Sequence, residues 1–190
     1  ERALWFDESK LSTHWAAASI DYVRQKGLMH NNPYGEFTPN FPLTRGMFVT
    51  CLGRLAGVEG DAASTGYRDL SADHYAAPYA AWAKEADIMR GLPDGRFAPD
   101  APITRQELAT ALARYAALCG AERGDTSAPF YHDQAAIADW AKDGVALCGQ
   151  LGLLVGANGT FSPTDTATRA MGAVILQRLD EADLRPQPVE

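Results

Sequence analysis

The sequence has few cysteines and few histidines. Of its 190 residues, three are cysteine and four are histidine. Cys51, Cys119 and Cys148 are odd in number and far apart, which argues against a disulfide framework and against a zinc site. We expect them to be buried free thiols, and we expect no metal and no other cofactor. Such cysteine usage fits a cytosol or a reducing, oxygen-poor exterior.

An excess of positive charge and long apolar runs are also missing. The formal net charge is −7 and no basic run offsets it, so we do not expect a nucleic-acid partner. No apolar stretch approaches the roughly 20 residues that span a bilayer, so we expect no membrane insertion. The sequence contains no Gly-x-Ser-x-Gly elbow, no P-loop and no His-Glu-x-x-His motif. We therefore expect no enzymatic activity in these residues.

What the sequence does contain is one pattern in three copies. A Gly-x-Phe-x-Pro string is followed each time by a Thr-Arg pair, and both parts recur at offsets of 60 and then 64 residues. The strings begin at Gly35, Gly95 and Gly159, and the pairs are Thr44-Arg45, Thr104-Arg105 and Thr168-Arg169. A chain with three related units presents three related surfaces rather than one catalytic pocket, which favours a binding module. We place the repeats at residues 5–58, 67–119 and 131–182.

Each repeat is predicted to contain a helix, a turn and a second helix, so the predicted fold class is all-α. An aromatic-x-Asp motif opens each repeat, and an aromatic-Ala pair then begins the first helix. The aspartates are Asp7, Asp69 and Asp133, and the aromatics are Trp15, Tyr75 and Trp140. Apolar residues after each aromatic and after each Thr-Arg pair have helical spacing rather than alternation.

Local signals predict where the helices begin and end. Gly27 and Gly152 are expected to end first helices, because glycine accepts the left-handed conformation of a helix end. Asp87 occupies that position in the second repeat, so we expect a different ending there. The repeated threonines lie where helix N-caps belong, and only Thr104 is followed by the glutamate of a full capping box, Glu107.

This ordered set of motifs, which covers residue 5 to about residue 180, resembles that of surface-layer homology domains. The resemblance implies three tandem helix-loop-helix repeats in a pseudo-threefold arrangement, with a central three-helix bundle, and a monomeric pseudo-trimer. It also implies a secreted protein that is anchored non-covalently to the bacterial cell wall or S-layer. The implied ligand is a secondary cell-wall polysaccharide whose terminal sugar carries a ketal-linked pyruvate, bound in grooves between adjacent repeats.

The first candidates for ligand contacts are Arg45, Arg105 and Arg169. A guanidinium binds a carboxylate through two parallel hydrogen bonds, and the amides and dipole at a helix start also favour an anion. The alternatives are a solvated arginine or one that bridges neighbouring repeats. The family motif is Thr-Arg-Ala-Glu, whereas only the second repeat of this chain keeps the glutamate. If that acid orients the arginine or a sugar hydroxyl, sites built on Arg45 and Arg169 are expected to be weaker.

Other repeated residues allow more than one interpretation. Asp7, Asp69 and Asp133 either accept hydrogen bonds from sugar hydroxyls, cap the first helix or pair with an arginine. Gly91 and Gly156 either let a ligand approach the backbone or have a purely conformational role, which we favour.

The three repeated aromatics either face a sugar ring or belong to the core, as aromatics at repeated helical positions more often do. These are Trp15, Tyr75 and Trp140. A second functional hypothesis comes from the methionines that replace the glutamate, Met47 and Met171. In that hypothesis the chain is a structural or assembly module that binds peptidoglycan or a protein partner, and its sugar sites are degenerate.

Overall fold

The computed structural model describes residues 8–59, 64–121 and 127–186. These residues form six α-helices: α1 (Ala17–Gln25), α2 (Arg45–Leu55), α3 (Ala77–Glu85), α4 (Arg105–Leu118), α5 (Lys142–Gln150) and α6 (Arg169–Glu181). Short 3-10 helices at Glu8–Thr13, Gln134–Ala136 and Asp139–Ala141 precede α1 and α5. The described ranges contain isolated β-bridges but no strand, so the all-α class is confirmed. No helix in these ranges is long and apolar enough to cross a membrane.

The second helix of each repeat begins at its predicted cap. The side chains of Thr44, Thr104 and Thr168 accept hydrogen bonds from the amides of Met47, Glu107 and Met171. Such a bond satisfies one of the amides that have no partner in the first turn of a helix. Thr104 and Glu107 also form the predicted capping box. Local sequence therefore sets where these helices start.

The first helices of all three repeats are followed by a residue in the left-handed conformation. Gly27 has φ of 68° and Gly152 has φ of 66°, as predicted. Asp87 has φ of 59°, so the expectation of a different ending in the second repeat is wrong. Aspartate enters this region more readily than most residues, and Arg90 Nη2 donates to Asp87 Oδ2 at 2.6 Å.

Each second helix packs against the first helix of the following repeat. Helix α2 contacts α3, α4 contacts α5, and α6 returns to contact α1. The phenylalanines of the three turns belong to the hydrophobic core, each with 0% exposure: Phe37, Phe97 and Phe161. This cyclic order agrees with the pseudo-threefold arrangement; that arrangement, the central three-helix bundle and the repeat boundaries stay predictions.

Three backbone hydrogen bonds join the repeats in a ring just before α2, α4 and α6. The Leu43 amide donates to the Ala167 carbonyl at 2.8 Å, and the Ala167 amide donates to the Ile103 carbonyl at 3.0 Å. The Ile103 amide closes the ring on the Leu43 carbonyl at 2.9 Å. The start of each second helix is thereby held against the neighbouring repeat, which decides where the repeated arginines point.

The cysteines are free thiols, as expected. Burial raises the pKa of Cys51 to about 11 and that of Cys148 to about 12, so both stay protonated near neutral pH. Cys119 is partly exposed, so the expectation of burial is wrong for this residue.

Candidate functional site

The repeated arginines cross from their own repeat to the next one. Their side chains lie against the Gly-x-Phe-x-Pro turn, where Nε donates to the phenylalanine carbonyl and the guanidinium stacks on the ring. The bonds are Arg45 to Phe97 at 2.8 Å, Arg105 to Phe161 at 2.7 Å and Arg169 to Phe37 at 2.8 Å. Only 7–8% of each arginine is exposed. They therefore bridge neighbouring repeats, which was one of the predicted alternatives, and their role in ligand binding stays a prediction.

The amides at the start of the second helices are already occupied. In α4 the Arg105 amide donates to the Asp165 carbonyl at 2.9 Å, and the Gln106 amide donates to the Pro163 carbonyl at 3.0 Å. The same two bonds are repeated at the starts of α2 and α6. The expectation that these amides help to bind an anion is therefore wrong, because the neighbouring repeat supplies their acceptors.

Asp69 and Asp133, from the aromatic-x-Asp motifs of the second and third repeats, bind the turn of their own repeat. Asp133 accepts from the amide of Phe161 at 2.8 Å and from the amide of Ser162 at 2.7 Å. Asp69 makes the same pair of bonds, both at 2.8 Å. Neither aspartate forms an ion pair with an arginine among the residues described. Asp7 lies outside the described residues, and sugar binding by these carboxylates stays a prediction.

An open groove lies beside each arginine. The groove at Arg105 has a volume of about 380 Å³ and the groove at Arg45 about 360 Å³. Beside Arg169 are two adjoining cavities of about 300 Å³ and 250 Å³. Below they are called the Arg105 groove, the Arg45 groove and the Arg169 groove.

Each groove draws side chains from all three repeats. One repeat supplies the arginine, the next supplies the turn, and the third supplies the aromatic of its aromatic-Ala pair. Trp15 lines the Arg105 groove, Trp140 the Arg45 groove and Tyr75 the Arg169 groove. These aromatics are 66%, 58% and 51% exposed, so the favoured interpretation that they belong to the core is wrong. They lie before α1, α3 and α5 rather than on a buried face of these helices.

A second set of arginines, which are not among the predicted site residues, lines the same grooves. They lie nine residues after the Thr-Arg arginine of their own repeat and therefore recur at the same offsets of 60 and 64: Arg54, Arg114 and Arg178. Each donates to a backbone carbonyl near the end of a first helix, as Arg178 does to Gly152 at 2.9 Å. Recurrence at equal offsets is the signal that would have identified them.

The residue at the glutamate position of the Thr-Arg-Ala-Glu motif faces the arginine of the preceding repeat. The closest contacts are Arg45 Nη1 to Glu107 Oε1 at 3.5 Å, Arg105 Nη1 to Met171 Sδ at 3.7 Å and Arg169 Nη1 to Met47 Sδ at 3.8 Å. The assumption that the acid serves its own repeat is therefore wrong. The Arg45 groove contains the glutamate, and methionine takes its place in the other two grooves.

The two candidate glycines pack where a side chain does not fit. A Cβ on Gly91 would lie 2.8 Å from the carbonyl oxygen of Arg96, and one on Gly156 would lie 2.2 Å from that of Thr160. These spacings support the conformational role. Gly91 also lines the Arg45 groove, and a ligand contact there stays a prediction.

Comparison with known proteins gives matches at the three places where the motifs recur. The family model of the S-layer homology domain matches residues 10–46, 66–109 and 130–170. The chain is 31% identical over 175 residues to an amylopullulanase of Thermoanaerobacterium thermosulfurigenes, which covers 90% of the chain and 9% of that protein. It is 28% identical over 169 residues to the S-layer protein sap of Bacillus anthracis, with 88% of the chain and 20% of that protein covered. A cellulosome-anchoring protein of Acetivibrio thermocellus is 34% identical over 100 residues, which are 50% of the chain and 22% of that protein.

The chain thus spans less than a quarter of the length of these relatives. The family model matches all three repeats and more than half of the chain, and the chain therefore belongs to the S-layer homology domain family.

Proposed function

We propose that this chain anchors an exported bacterial protein to the cell wall by binding an acidic wall glycan in its grooves. The observation that carries the proposal is the guanidinium of Arg105, which lies at an open groove with donors to spare. Among the described residues the guanidinium donates to the carbonyls of Phe161 and Val155 and to the sulfur of Met171, and it stacks on the Phe161 ring. Since a guanidinium has five N–H donors, two remain for a ligand.

The rest of the Arg105 groove suits a sugar that bears a carboxylate. Arg178 lines it as a second cation, and Trp15 offers an exposed ring that can lie against the apolar face of a sugar. A pyruvyl ketal presents one carboxylate on a rigid sugar ring, which fits paired arginine donors beside an aromatic. The proposed ligand is therefore a pyruvylated secondary cell-wall polysaccharide.

The relatives support a role in localisation rather than in catalysis. An amylopullulanase, an S-layer protein and a cellulosome-anchoring protein differ in kind, yet each contains a segment similar to this chain. A segment common to such different proteins fits an anchor that holds a secreted protein at the wall or in the S-layer, and we propose no reaction for it. Three grooves on one polymer would strengthen retention by avidity.

Retention on purified wall sacculi tests this function. Arg178→Gln removes one groove cation from an exposed side chain, and we expect it to weaken retention about tenfold, the size of one lost charge-assisted hydrogen bond. Arg24→Gln is the matched control, because Arg24 lies on α1 and lines none of the grooves. Retention that survives chemical removal of the pyruvate would contradict the proposed ligand.

The second candidate function is a structural module that binds peptidoglycan or a protein partner. It is favoured by the buried bridging position of the three arginines, which gives them a structural role without any ligand. An Arg105→Ala variant that remains folded and is retained on the wall as well as the parent protein would support this candidate.

A further inference from the structure

The Arg105 and Arg45 grooves are two copies of one design. Each has a buried arginine from one repeat, a second arginine from the second helix of the following repeat and an exposed tryptophan, and their volumes are about 380 and 360 Å³. Trp15 and Arg178 complete the Arg105 groove. Trp140 and Arg114 complete the Arg45 groove. A difference in binding between them must therefore arise at the positions where the copies differ.

The sharpest difference lies directly beside the buried guanidinium. In the Arg45 groove Glu107 Oε1 lies 3.5 Å from Arg45 Nη1. The other oxygen, Oε2, accepts from the amide and the hydroxyl of Thr104, both at 2.8 Å. The capping box thus fixes the carboxylate in the groove. In the Arg105 groove the corresponding group is the neutral thioether of Met171, a weak acceptor.

Net charge does not distinguish the two grooves, but the position of the acid does. Burial lowers the pKa of Arg105, and the charge of Asp165, an exposed residue that lines the Arg105 groove, opposes that shift. Among the described residues Asp165 forms no ion pair with Arg105. Arg90 adds a cation to the Arg45 groove, and Asp87 binds it. A ligand carboxylate that reaches Arg45 must lie within a few ångströms of Glu107, and like charges at that distance repel. At Arg105 the group in the corresponding position is the Met171 sulfur, which carries no charge.

We propose that Glu107 and Met171 give the two grooves different sugar preferences, an inference that rests on the proposed function. The Arg105 groove takes the carboxylate-bearing sugar of the glycan. The Arg45 groove takes an uncharged sugar, because the Glu107 carboxylate accepts hydrogen bonds from sugar hydroxyls while Arg114 donates and Trp140 packs against the ring.

Groove-resolved binding can be followed by fluorine NMR of the whole chain labelled with 5-fluorotryptophan. Trp15 reports on the Arg105 groove and Trp140 on the Arg45 groove, and Trp15→Phe and Trp140→Phe assign the two signals. The probes are the methyl glycoside of N-acetylmannosamine and the same glycoside with a 4,6-linked pyruvate ketal. We expect the pyruvylated probe to shift the Trp15 signal at about fivefold lower concentration than the Trp140 signal, as one nearby charge in a solvated groove predicts.

Exchanging the two residues tests the cause. In the double variant Glu107→Met, Met171→Glu, each second helix still begins with a threonine cap, and the new glutamate gains a capping partner in Thr168. We expect the order of the two signals to reverse for the pyruvylated probe and to change little for the uncharged one. Glu85→Gln, which removes an exposed acid that lines neither groove, is the control.

The possible outcomes separate the two proposals. If both tryptophan signals respond at the same concentration and the exchange changes nothing, the difference in sugar preference is refuted while glycan binding stands. If neither probe shifts either signal, the proposal of sugar binding in these grooves is refuted, and the proposed difference in sugar preference is refuted with it. Only a reversal in the order of the two signals, seen in the double variant with the pyruvylated probe, supports the inference.

Discussion

A carboxylate that holds a backbone turn explains why aspartate recurs in the aromatic-x-Asp motif. Asp133 accepts from two successive amides of its turn, those of Phe161 and Ser162. The hydrogen bond from the Phe161 amide, together with that from Ser162, lowers the pKa of the Asp133 carboxyl below its ordinary value. The Phe161 carbonyl of the same turn accepts the hydrogen bond from Arg105, so Asp133 helps to fix the turn on which Arg105 lies.

Replacing Asp133 with asparagine is expected to destabilise the protein at neutral pH, because the amide offers one acceptor oxygen instead of two. Since the folded pKa is depressed, the stabilisation is present above the unfolded value of about 4 and is lost as the pH falls through the folded pKa. Urea unfolding at pH 7 and at pH 3 should therefore show a difference between variant and parent that shrinks in acid. Asp21→Asn, at an exposed position on α1, is the control. An equal difference at both pH values would contradict the role assigned to the ionised carboxylate.

At this scale the sequence predicts which residues matter better than it predicts where their side chains point. Arg45, Arg105 and Arg169 could be selected because residue type and offset recur together. Glu107 was assigned to the wrong arginine, because the sequence of one repeat carries no information about which neighbour faces it. Arg178 and its two equivalents were missed although they recur at the same offsets.

The loop between the first helix and the Gly-x-Phe-x-Pro turn depends on residues without side chains. At Gly156 an added Cβ would meet the carbonyl of Thr160 at 2.2 Å and the ring of Tyr131 at 2.6 Å. At Gly152 an added Cβ would meet nothing within 4 Å, although φ is 66°. Gly156 is therefore required because there is no space for a side chain, and Gly152 is required because of its positive φ.

Alanine substitution at these two positions should give unequal losses of stability. We expect Gly156→Ala to lower the free energy of unfolding by about 3 kcal/mol, because backbone and ring must both move. Gly152→Ala should cost about 1 kcal/mol, the strain of a left-handed alanine in open space. Urea unfolding followed by circular dichroism measures both. A loss at Gly156 no larger than that at Gly152 would show that the loop adjusts to the added methyl group.

The elements themselves were largely predictable, since their signals are local. Threonine caps and helical spacing predicted α2, α4 and α6, and the capping box at Thr104 is present. The positive φ of Ala98 and Ser162, directly after the turn phenylalanines, was not predicted. No residue type marks it; at both positions the amide donates to an aspartate 29 residues earlier in the chain.

The whole molecule is held together by contacts between the first and the last repeat. Helix α6 packs on α1, and Tyr22 donates to Asp180 Oδ2 at 2.6 Å. The side chain of Asp180 is only 4% exposed and also pairs with Lys26 and Arg185. The sequence predicted three tandem repeats, but contacts over 158 residues are fixed only by the packing of the folded chain.

Such closure predicts that the three repeats unfold as one cooperative unit. Tyr22→Phe removes the hydrogen bond to the Asp180 carboxylate and should lower the urea concentration at the midpoint of unfolding. The loss should appear equally in far-UV circular dichroism and in the fluorescence of Trp82 and Trp140, which lie in the other two repeats. Tyr34→Phe is the matched control in the same repeat, because Tyr34 is 88% exposed.

The alternative is a linear array in which each repeat interacts only with the next along the chain. In such an array a change in the first repeat shifts mainly the local transition and leaves the fluorescence of Trp140, in the third repeat, almost unchanged. The ring of hydrogen bonds through Leu43, Ile103 and Ala167 makes the first and third repeats direct neighbours. A loss of stability at Tyr22 should therefore destabilise the third repeat as well as the first. Separate transitions for Trp82 and Trp140 would show that this ring does not couple the repeats. The grooves, each of which needs side chains from all three, would then form only after independent units had docked.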